Sequence, residues 1–429
     1  MKAVRIHKGC NAALTVKTRF HVAIFPGCGI GCGTETLMRR LVLVGGGHSH
    51  VGVLRQFGLA PLPDVQLTLI CTDIQTPYSG MLPGYVAGHY GYDEVHIDLQ
   101  RLAGFAGARL LHAEVTGIDR ATRTLRCRSG ETAAYDVLSI NIGSTPQVAR
   151  VPGAFEHTVP VKPIARFNQR WLALLARVQQ HAGATTIAVV GGGAGGVELL
   201  LAMQYRLRKE LQALGRNPDD LRFHLITQSD EIMPTHNARV RRRFRQVLTA
   251  RGVAVHCEME VADVQSGVLH ARSGQVIDAD EIIWVTQAGG AAWLKGTGLS
   301  LDDGGFIQVN ACLQSVSDPR IFAAGDIAAI VGHPLEKAGV FAVRQARPLV
   351  DNLRRSLAGQ ALQPYRPQRK WLALVSTGNR YAVASRGALG FSGAWVWRWK
   401  DRIDRRFMRR FSDLPTRPGD SAPPSSSDL

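Results

Sequence analysis

Two short glycine-rich turns carry the residue types and spacing most able to do chemistry in this chain. The first is Val44-Gly45-Gly46-Gly47-His48-Ser49-His50; the second is Val190-Gly191-Gly192-Gly193-Ala194-Gly195-Gly196-Val197-Glu198. Each follows a run of apolar residues (41–44 and 187–190) that reads as a buried parallel strand, and each opens a helix. Glycines at such a turn let backbone N–H groups approach a pyrophosphate, to which the helix N-terminus adds positive potential. Gly191, Gly193 and Gly196 keep the full G-x-G-x-x-G spacing. In the first turn His50 stands where the third glycine would let helix and strand pack closely. Two such turns in strand–turn–helix context point to two dinucleotides in one molecule, an arrangement for passing a hydride between them.

A third element lies far downstream, in Ile321-Phe322-Ala323-Ala324-Gly325-Asp326. An apolar strand there delivers an acid directly after a glycine. Such an aspartate can bond a ribityl hydroxyl or a backbone group beside the flavin phosphates, and the glycine leaves room for the cofactor. With these motifs go Ile142-Gly143-Ser144-Thr145-Pro146 and Trp284-Val285-Thr286-Gln287-Ala288-Gly289. In chain order, from about Met38 to Ala358, these five segments resemble those of the two-dinucleotide-binding flavoproteins, the pyridine nucleotide–disulfide oxidoreductase superfamily, and the resemblance makes 142–146 and 284–289 the two crossovers between domains. A narrower likeness rests on Thr76-Pro77-Tyr78-Ser79-Gly80-Met81-Leu82-Pro83-Gly84, the upstream Gly-Gly-Gly-His-Ser-His and the downstream His96-Ile97-Asp98-Leu99. These resemble the flavoprotein domains fused to, or accompanying, selenide, water dikinase, and are similar to type II NADH:quinone oxidoreductases. The kinase part itself is missing from this sequence.

The resemblance implies an α/β fold of two Rossmann-like domains, the NAD(P) domain inserted in the FAD domain, plus a small C-terminal region. It implies that FAD lies against Gly45, Gly47, His48, Ser49, Ser79, Gly80, Met81, Leu82, Val115, Gly143, Ser144 and Asp326. The adenine ribose is expected on Asp73 or on backbone groups alone, because Cys71 occupies the usual acidic position at the end of the strand 66–70. NADH or NADPH is expected on Gly191, Gly193, Ala194, Gly195, Gly196, Thr227 and Gly289. Two residues are expected to be catalytic. Glu198 matches the superfamily's glutamate that faces the nicotinamide, although a helix N-terminal acid is also favoured there by the dipole. Lys337 precedes Ala338-Gly339-Val340, which resembles the helix start aimed at the flavin pyrimidine edge, where an ammonium would stabilise reduced flavin.

The seven cysteines, at 10, 28, 32, 71, 127, 257 and 312, are scattered. The segment that carries the redox pair in disulfide reductases of the superfamily, 76–88 here, has none, which argues against thiol–disulfide exchange. Cys28 and Cys32 read as incidental thiols, and no metal site is expected. With no convincing signal peptide, the expectation is a cytosolic compartment. Thr227 is neither the acid that favours NADH nor followed by the arginine that favours NADPH, so the donor stays open, with NADH slightly ahead. The arginines at 239, 241, 242, 243 and 245 flank Val240, Phe244 and Val247/Leu248, the pattern of a solvated helix face.

These motifs divide the chain into an N-terminal extension (1–37), an FAD domain in two parts (38–153 and 288–358) and an inserted NAD(P) domain (154–287). A C-terminal region (359–412) and a disordered Pro/Ser-rich tail (413–429) follow. The formal charge is +17, yet no nucleic-acid module is recognisable and no nucleic acid is expected. Much of the charge sits at 395–411, where seven cations face Asp401 and Asp404 while Trp399, Ile403, Phe407 and Phe411 recur every four residues. Such a helix can lie on an anionic membrane at the inner face, or dock on its own domain or a second subunit of a homodimer; the pattern fits either. The acceptor is expected to be a quinone. Alternatives are a soluble reductase serving selenium or sulfur metabolism, or a flavin-binding sensor with little turnover. Aligned on Ala342, the two quinone-lining glutamines of the similar reductases fall at Val340 and Arg344, with Gln345 adjacent, a departure that weakens the quinone assignment.

Overall fold

The computed structural model describes residues 38–416, apart from 147–149, 163, 182, 287 and 369. The expected extension at 1–37 and the tail from 417 onward lie outside the described residues. Two five-stranded parallel sheets organise the rest. The first runs in the order 321–323, 137–140, 39–44, 65–71 and 109–112, every pairing parallel. The second runs 159–160, 281–284, 185–190, 221–226 and 253–256, again parallel throughout. Parallel strands buried on both faces read as continuous apolar runs, and Leu41, Leu43, Ile187 and Val189 are fully buried accordingly.

Each sheet places a glycine turn at the carboxyl end of a central strand, feeding the helices His48–Leu59 and Ala194–Ala213. In open α/β sheets, this is where ligands bind. Each sheet also carries a three-stranded antiparallel excursion, 115–134 and 261–278 respectively. The chain leaves the first sheet after Ile140 and returns with Ile321–Ala323. Between them the ribbon Thr145–Pro146 pairs antiparallel with Ala288–Gly289, so both crossovers run side by side. A three-stranded antiparallel sheet (373–377, 379–386, 389–393) and the helix Ala394–Ser412 complete the chain.

The C-terminal helix corrects one expectation. The four apolar residues spaced by four do not form a single outward arc. Trp399 and Ile403 are exposed, whereas Phe407 and Phe411 are buried against the first sheet's core. A step of four residues advances 400° on a helix of about 3.6 residues per turn, so three steps rotate the stripe by about 120°. The stripe therefore winds from the outer face to the inner one. Residues Val396, Lys400, Asp404 and Met408 share the buried side.

Candidate functional site

The two glycine turns open onto one cleft of about 1010 Å³, which also receives Asp73, Ser79, Leu82, Val115, Gly143, Ser144, Asp326 and Gly339. Its far wall is built by Gly193, Gly195, Gly196, Glu198 and the crossover residues Trp284 to Thr286. Residues 240 and more positions apart in sequence thus face one another across a single cavity.

The second turn is built as its spacing suggests. A Cβ at Gly196 would lie 1.9 Å from the Gly191 carbonyl oxygen, so no side chain fits where helix and strand touch. Gly193 and Gly195, by contrast, face open space on the cleft side. No side chain caps the helix that starts at Ala194, and no acid occupies its first turn. The N–H groups of Ala194, Gly195 and Gly196 have no protein acceptor among the described residues. Unsatisfied donors at a bare helix N-terminus, beside glycines that leave space, suit a nucleotide pyrophosphate. Gly191 and Gly289 lie behind this wall, in the turn's base and the crossover ribbon. Thr227 is buried, with its side chain against Gly192 and its hydroxyl accepting from Ser229 N at 3.3 Å.

The first turn is built differently, and His50 explains how. Its ring is fully buried beneath the turn, Nδ1 donating to the Gly45 carbonyl (2.7 Å) and Nε2 facing Ser139 Oγ (2.8 Å). Burial drives its pKa down to about 4, so the ring is neutral and serves as a polar peg in place of a glycine. Asn141, which was not foreseen, holds the turn together. Its Oδ1 accepts from Ser49 N (3.0 Å) and His50 N (3.2 Å), and its amide donates to Ala324 O (2.6 Å). This corrects the expectation for Ser49. That residue sits behind the turn, fully buried, with its hydroxyl donating to Ala342 O at 2.7 Å. Gly46 and His48 keep backbone donors for the cleft. An asparagine ending an apolar strand, directly before Ile142-Gly143, was the available signal for Asn141.

Asp326 stands in the cleft within a triangle of hydrogen bonds. Its Oδ2 accepts from Lys162 Nζ (2.8 Å) and Ser144 Oγ (3.2 Å), while Lys162 also donates to Ser144 Oγ (2.8 Å). Burial pushes the Asp326 carboxyl up, but the Lys162 charge and these bonds outweigh it and hold the group below its ordinary range. His48, enclosed nearby, is driven down to about 4 by burial and accepts from Ser79 N at 3.4 Å.

The helix Gly339–Leu357 starts at the cleft with Ala338 as its cap and no capping side chain. Gly339 N and Val340 N have no acceptor among the described residues, which leaves the positive end of this helix open beside the cleft. Lys337 behaves otherwise than expected. Its ammonium donates to Ala328 O (2.8 Å) and lies 3.8 Å from the centre of the Phe306 ring, and burial lowers its pKa. It reaches the cleft wall with its charge already placed. Gln345 is likewise occupied, accepting from Gly325 N at 2.6 Å.

Glu198 looks into the cleft from the second helix. Its Oε1 accepts from Ser376 N (2.6 Å) in the C-terminal sheet, and burial raises its pKa against the pull of Lys400. Lys400 and Asp404 are the second surprise. Both are buried, paired at 2.7 Å, and Lys400 Nζ also donates to the Gly80 carbonyl at 2.5 Å. Tyr78 stacks on Phe407 at 4.5 Å. Gly80 and Met81 therefore pack toward the C-terminal helix, Met81 fully buried, rather than lining the cleft. No group of three metal-binding side chains exists among the described residues.

Of the expected arginine face, Arg245 and Arg241 reach Glu231, and Arg243 lies over the Tyr381 ring. The charge on that helix, Ala238–Ala250, is turned to its own surroundings, while Val240, Phe244 and Leu248 are buried.

Comparison with known proteins agrees with this architecture. The NADH dehydrogenase-like protein YutJ of Bacillus subtilis is 24% identical over 366 residues, covering 82% of this chain and 95% of that protein. Demethylphylloquinone reductase NdbB of Synechocystis is 27% identical over 300 residues, covering 67% and 71%. The sulfide:quinone oxidoreductase of Aquifex aeolicus superposes with a TM-score of 0.73 at 17% identity, over 89% of this chain and 93% of that one, a likeness of fold. The family model described as pyridine nucleotide-disulphide oxidoreductase matches residues 39–348, and the chain belongs to that family.

Proposed function

We propose that this flavoprotein oxidoreductase takes a hydride from NAD(P)H onto FAD and passes the electrons to a quinone at an anionic membrane surface. The observation that carries the first half is the shared cleft, with one glycine turn on each wall and the uncapped helix starts at Ala194 and Gly339 opening onto it. FAD supplies the two-electron chemistry when bound. The protein's own part is placement and charge. Gly46 and His48 present backbone donors on one wall, Ala194 to Gly196 on the other, and Asp326 offers a carboxylate between them. With FAD bound, Gly339 and Val340 would offer backbone N–H groups to negative charge on the ring, a role that the placement of Lys337 leaves to them. Glu198 faces the donor wall with a carboxyl that keeps its proton more readily than an exposed glutamate. Such a site works by orientation more than by acid–base steps. NADH is the favoured donor, since Gln228, Ser229 and Asp230 follow Thr227 and no cation stands there to meet a 2′-phosphate.

The membrane half rests on the outer face of the C-terminal region. Leu389, Phe391, Trp395, Trp399 and Ile403 are each at least 40% exposed and lie on the last hairpin and the helix after it. Arg398, Arg402, Arg406, Arg409 and Arg410 are exposed on the same helix. Tryptophans and aliphatics flanked by cations are the composition of an interfacial helix, each cation near an anionic surface adding about 1 kcal/mol. No described helix is long and apolar enough to cross a membrane. The same helix places Lys400 against Gly80, in the segment that carries Ser79 and Leu82 at the cleft.

Anaerobic bleaching of the bound flavin by NADH, followed by reoxidation with a water-soluble quinone, tests the reaction. Reoxidation by selenium or sulfur compounds and not by quinone would overturn the acceptor. Co-sedimentation with anionic liposomes tests the surface. Removing the helix is the wrong control, because Lys400, Asp404 and Phe407 would go with it. Ser replacing Trp395, Trp399 and Ile403 leaves the buried face intact. Equal pelleting of the two proteins would remove the membrane assignment.

A further inference from the structure

Lys162 belongs to no motif, yet it bridges the two halves of the cleft. It follows the strand Val159–Pro160, which is an edge of the second sheet, and so is carried by the donor side of the molecule. Its ammonium reaches Ser144 and Asp326, which the first sheet and its crossover present. The Lys162 side chain is 39% exposed and the Asp326 side chain 14%, both toward the cleft. Two of the three ammonium protons are placed on protein oxygens. The third has no acceptor among the described residues, and neither has Asp326 Oδ1 a donor. The triangle thus fixes one carboxylate oxygen and leaves the other for a ligand hydroxyl.

We infer that Lys162 is a positioning residue of the flavin site, contributed by the opposite half of the molecule, which aims Asp326 at the ribityl chain. The argument is one of charge and geometry. A carboxylate enclosed in a cleft needs a paired cation to stay ionised and a second bond to stay in one orientation. Ser144 alone supplies the second and not the first. Lys162 supplies both, and its free proton faces the space that an oxygen-rich, anionic cofactor would fill. A surface lysine would leave FAD affinity untouched, and a plain strut between domains would change stability without changing affinity.

This inference rests on FAD occupying the cleft, and the test separates the two ideas. The full-length protein is stripped of flavin, and FAD binding is titrated by fluorescence quenching for wild type, Lys162→Met and Lys162→Arg. Thermal melting of each flavin-free protein is measured alongside. Lys162→Met should bind FAD at least tenfold more weakly, while Lys162→Arg stays within about threefold of wild type. If Lys162→Met fails to fold, Ser144→Ala removes one corner of the triangle and should weaken FAD binding two- to fivefold. Wild type that binds no FAD would sink the cofactor reading itself. Wild type that binds, with Lys162→Met binding equally, would overturn the inference alone. Equal losses in the Met and Arg variants would assign the effect to packing of the stem and overturn it too.

Discussion

Replacing Lys400 by methionine should be among the most damaging single changes available outside the glycine turns. Lys400 and Asp404 have side chains only 11% and 7% exposed and meet at 2.7 Å. Methionine fills the volume but leaves Asp404 buried without its cation, and leaves the Gly80 carbonyl without its donor. Breaking one side of a buried pair costs about 3–5 kcal/mol, because the stranded charge keeps its desolvation penalty. Unfolding entropy of about 2.1 cal/mol/K per residue, over roughly 380 residues, comes to about 0.8 kcal/mol/K. The melting temperature should then fall by about 4–6 °C if the flavin-loaded chain unfolds as one unit. The loss should also depend on pH in a definite direction. Burial already holds the Asp404 carboxyl above its ordinary range despite Lys400, and deleting the cation raises it further. Between an unfolded pKa of about 3.9 and that raised value, the native state keeps a proton that the unfolded state has released. Stability of the variant must therefore fall as pH rises through this window, and the gap to wild type should narrow toward pH 5. Lys400→Met/Asp404→Leu removes both charges and should regain most of the loss. Scanning calorimetry of the three proteins at pH 5 and pH 8 checks this. A single variant melting within 1 °C of wild type at pH 8, or a double variant no better than the single, refutes the reasoning.

Three further outcomes follow from the cleft. Gly196→Val should abolish flavin reduction by NADH while the protein stays yellow, since its Cβ would sit 1.9 Å from Gly191 O and only the second turn is disturbed; retained reduction would contradict this placement of the donor. Gly47→Val should give colourless protein, because its Cβ would meet Asn141 Oδ1 at 2.3 Å, and a flavin content equal to wild type would oppose the assignment of FAD to the first turn. Glu198 titrates above the ordinary carboxylate range because it is buried. Stopped-flow flavin reduction should accordingly change with pH above about 4.3 in wild type and flatten in Glu198→Gln; identical profiles would remove Glu198 from the reaction.

The two turns and the Asp326 motif were legible because their chemistry is local. A G-x-G-x-x-G spacing means the same thing in any strand–turn–helix, and Gly196 bears that out at atomic distance. What was not legible is what arrives from far along the chain. Asn141 caps a turn whose helix begins 93 residues earlier, and only tertiary pairing of the strands 39–44 and 137–140 puts it there. His50 looked like damage to the motif; in the fold it is a neutral peg joining Gly45 to Ser139. The Lys337 expectation followed a helix start correctly and its ammonium wrongly, because Phe306 and the Ala328 carbonyl compete for the cation. Spacing by four misled at the C-terminus, where a real helix turns the stripe from solvent into the core.

That last misreading has a mechanical consequence. One helix carries Trp395, Trp399, Ile403 and a row of arginines outward, and Lys400, Asp404, Phe407 and Phe411 inward. The inner set touches Tyr78 and the Gly80 carbonyl, in the segment that shares the cleft with the flavin-side residues Ser79 and Leu82. The outer set is where an anionic surface would bind. The helix thus links the outer face, through Lys400, to the segment that carries Ser79 and Leu82. A helix bound at a membrane would be held against rotation, and Gly80 with it. Anionic liposomes should then change the environment of the flavin as well as pellet the protein. The measurement is the visible spectrum of the bound flavin with and without vesicles, in wild type and in the Trp395→Ser/Trp399→Ser/Ile403→Ser variant. A vesicle-induced change in wild type, absent in the variant and suppressed by salt, is the expected result. Pelleting with no spectral change would separate the surface from the site and show that the helix anchors without coupling.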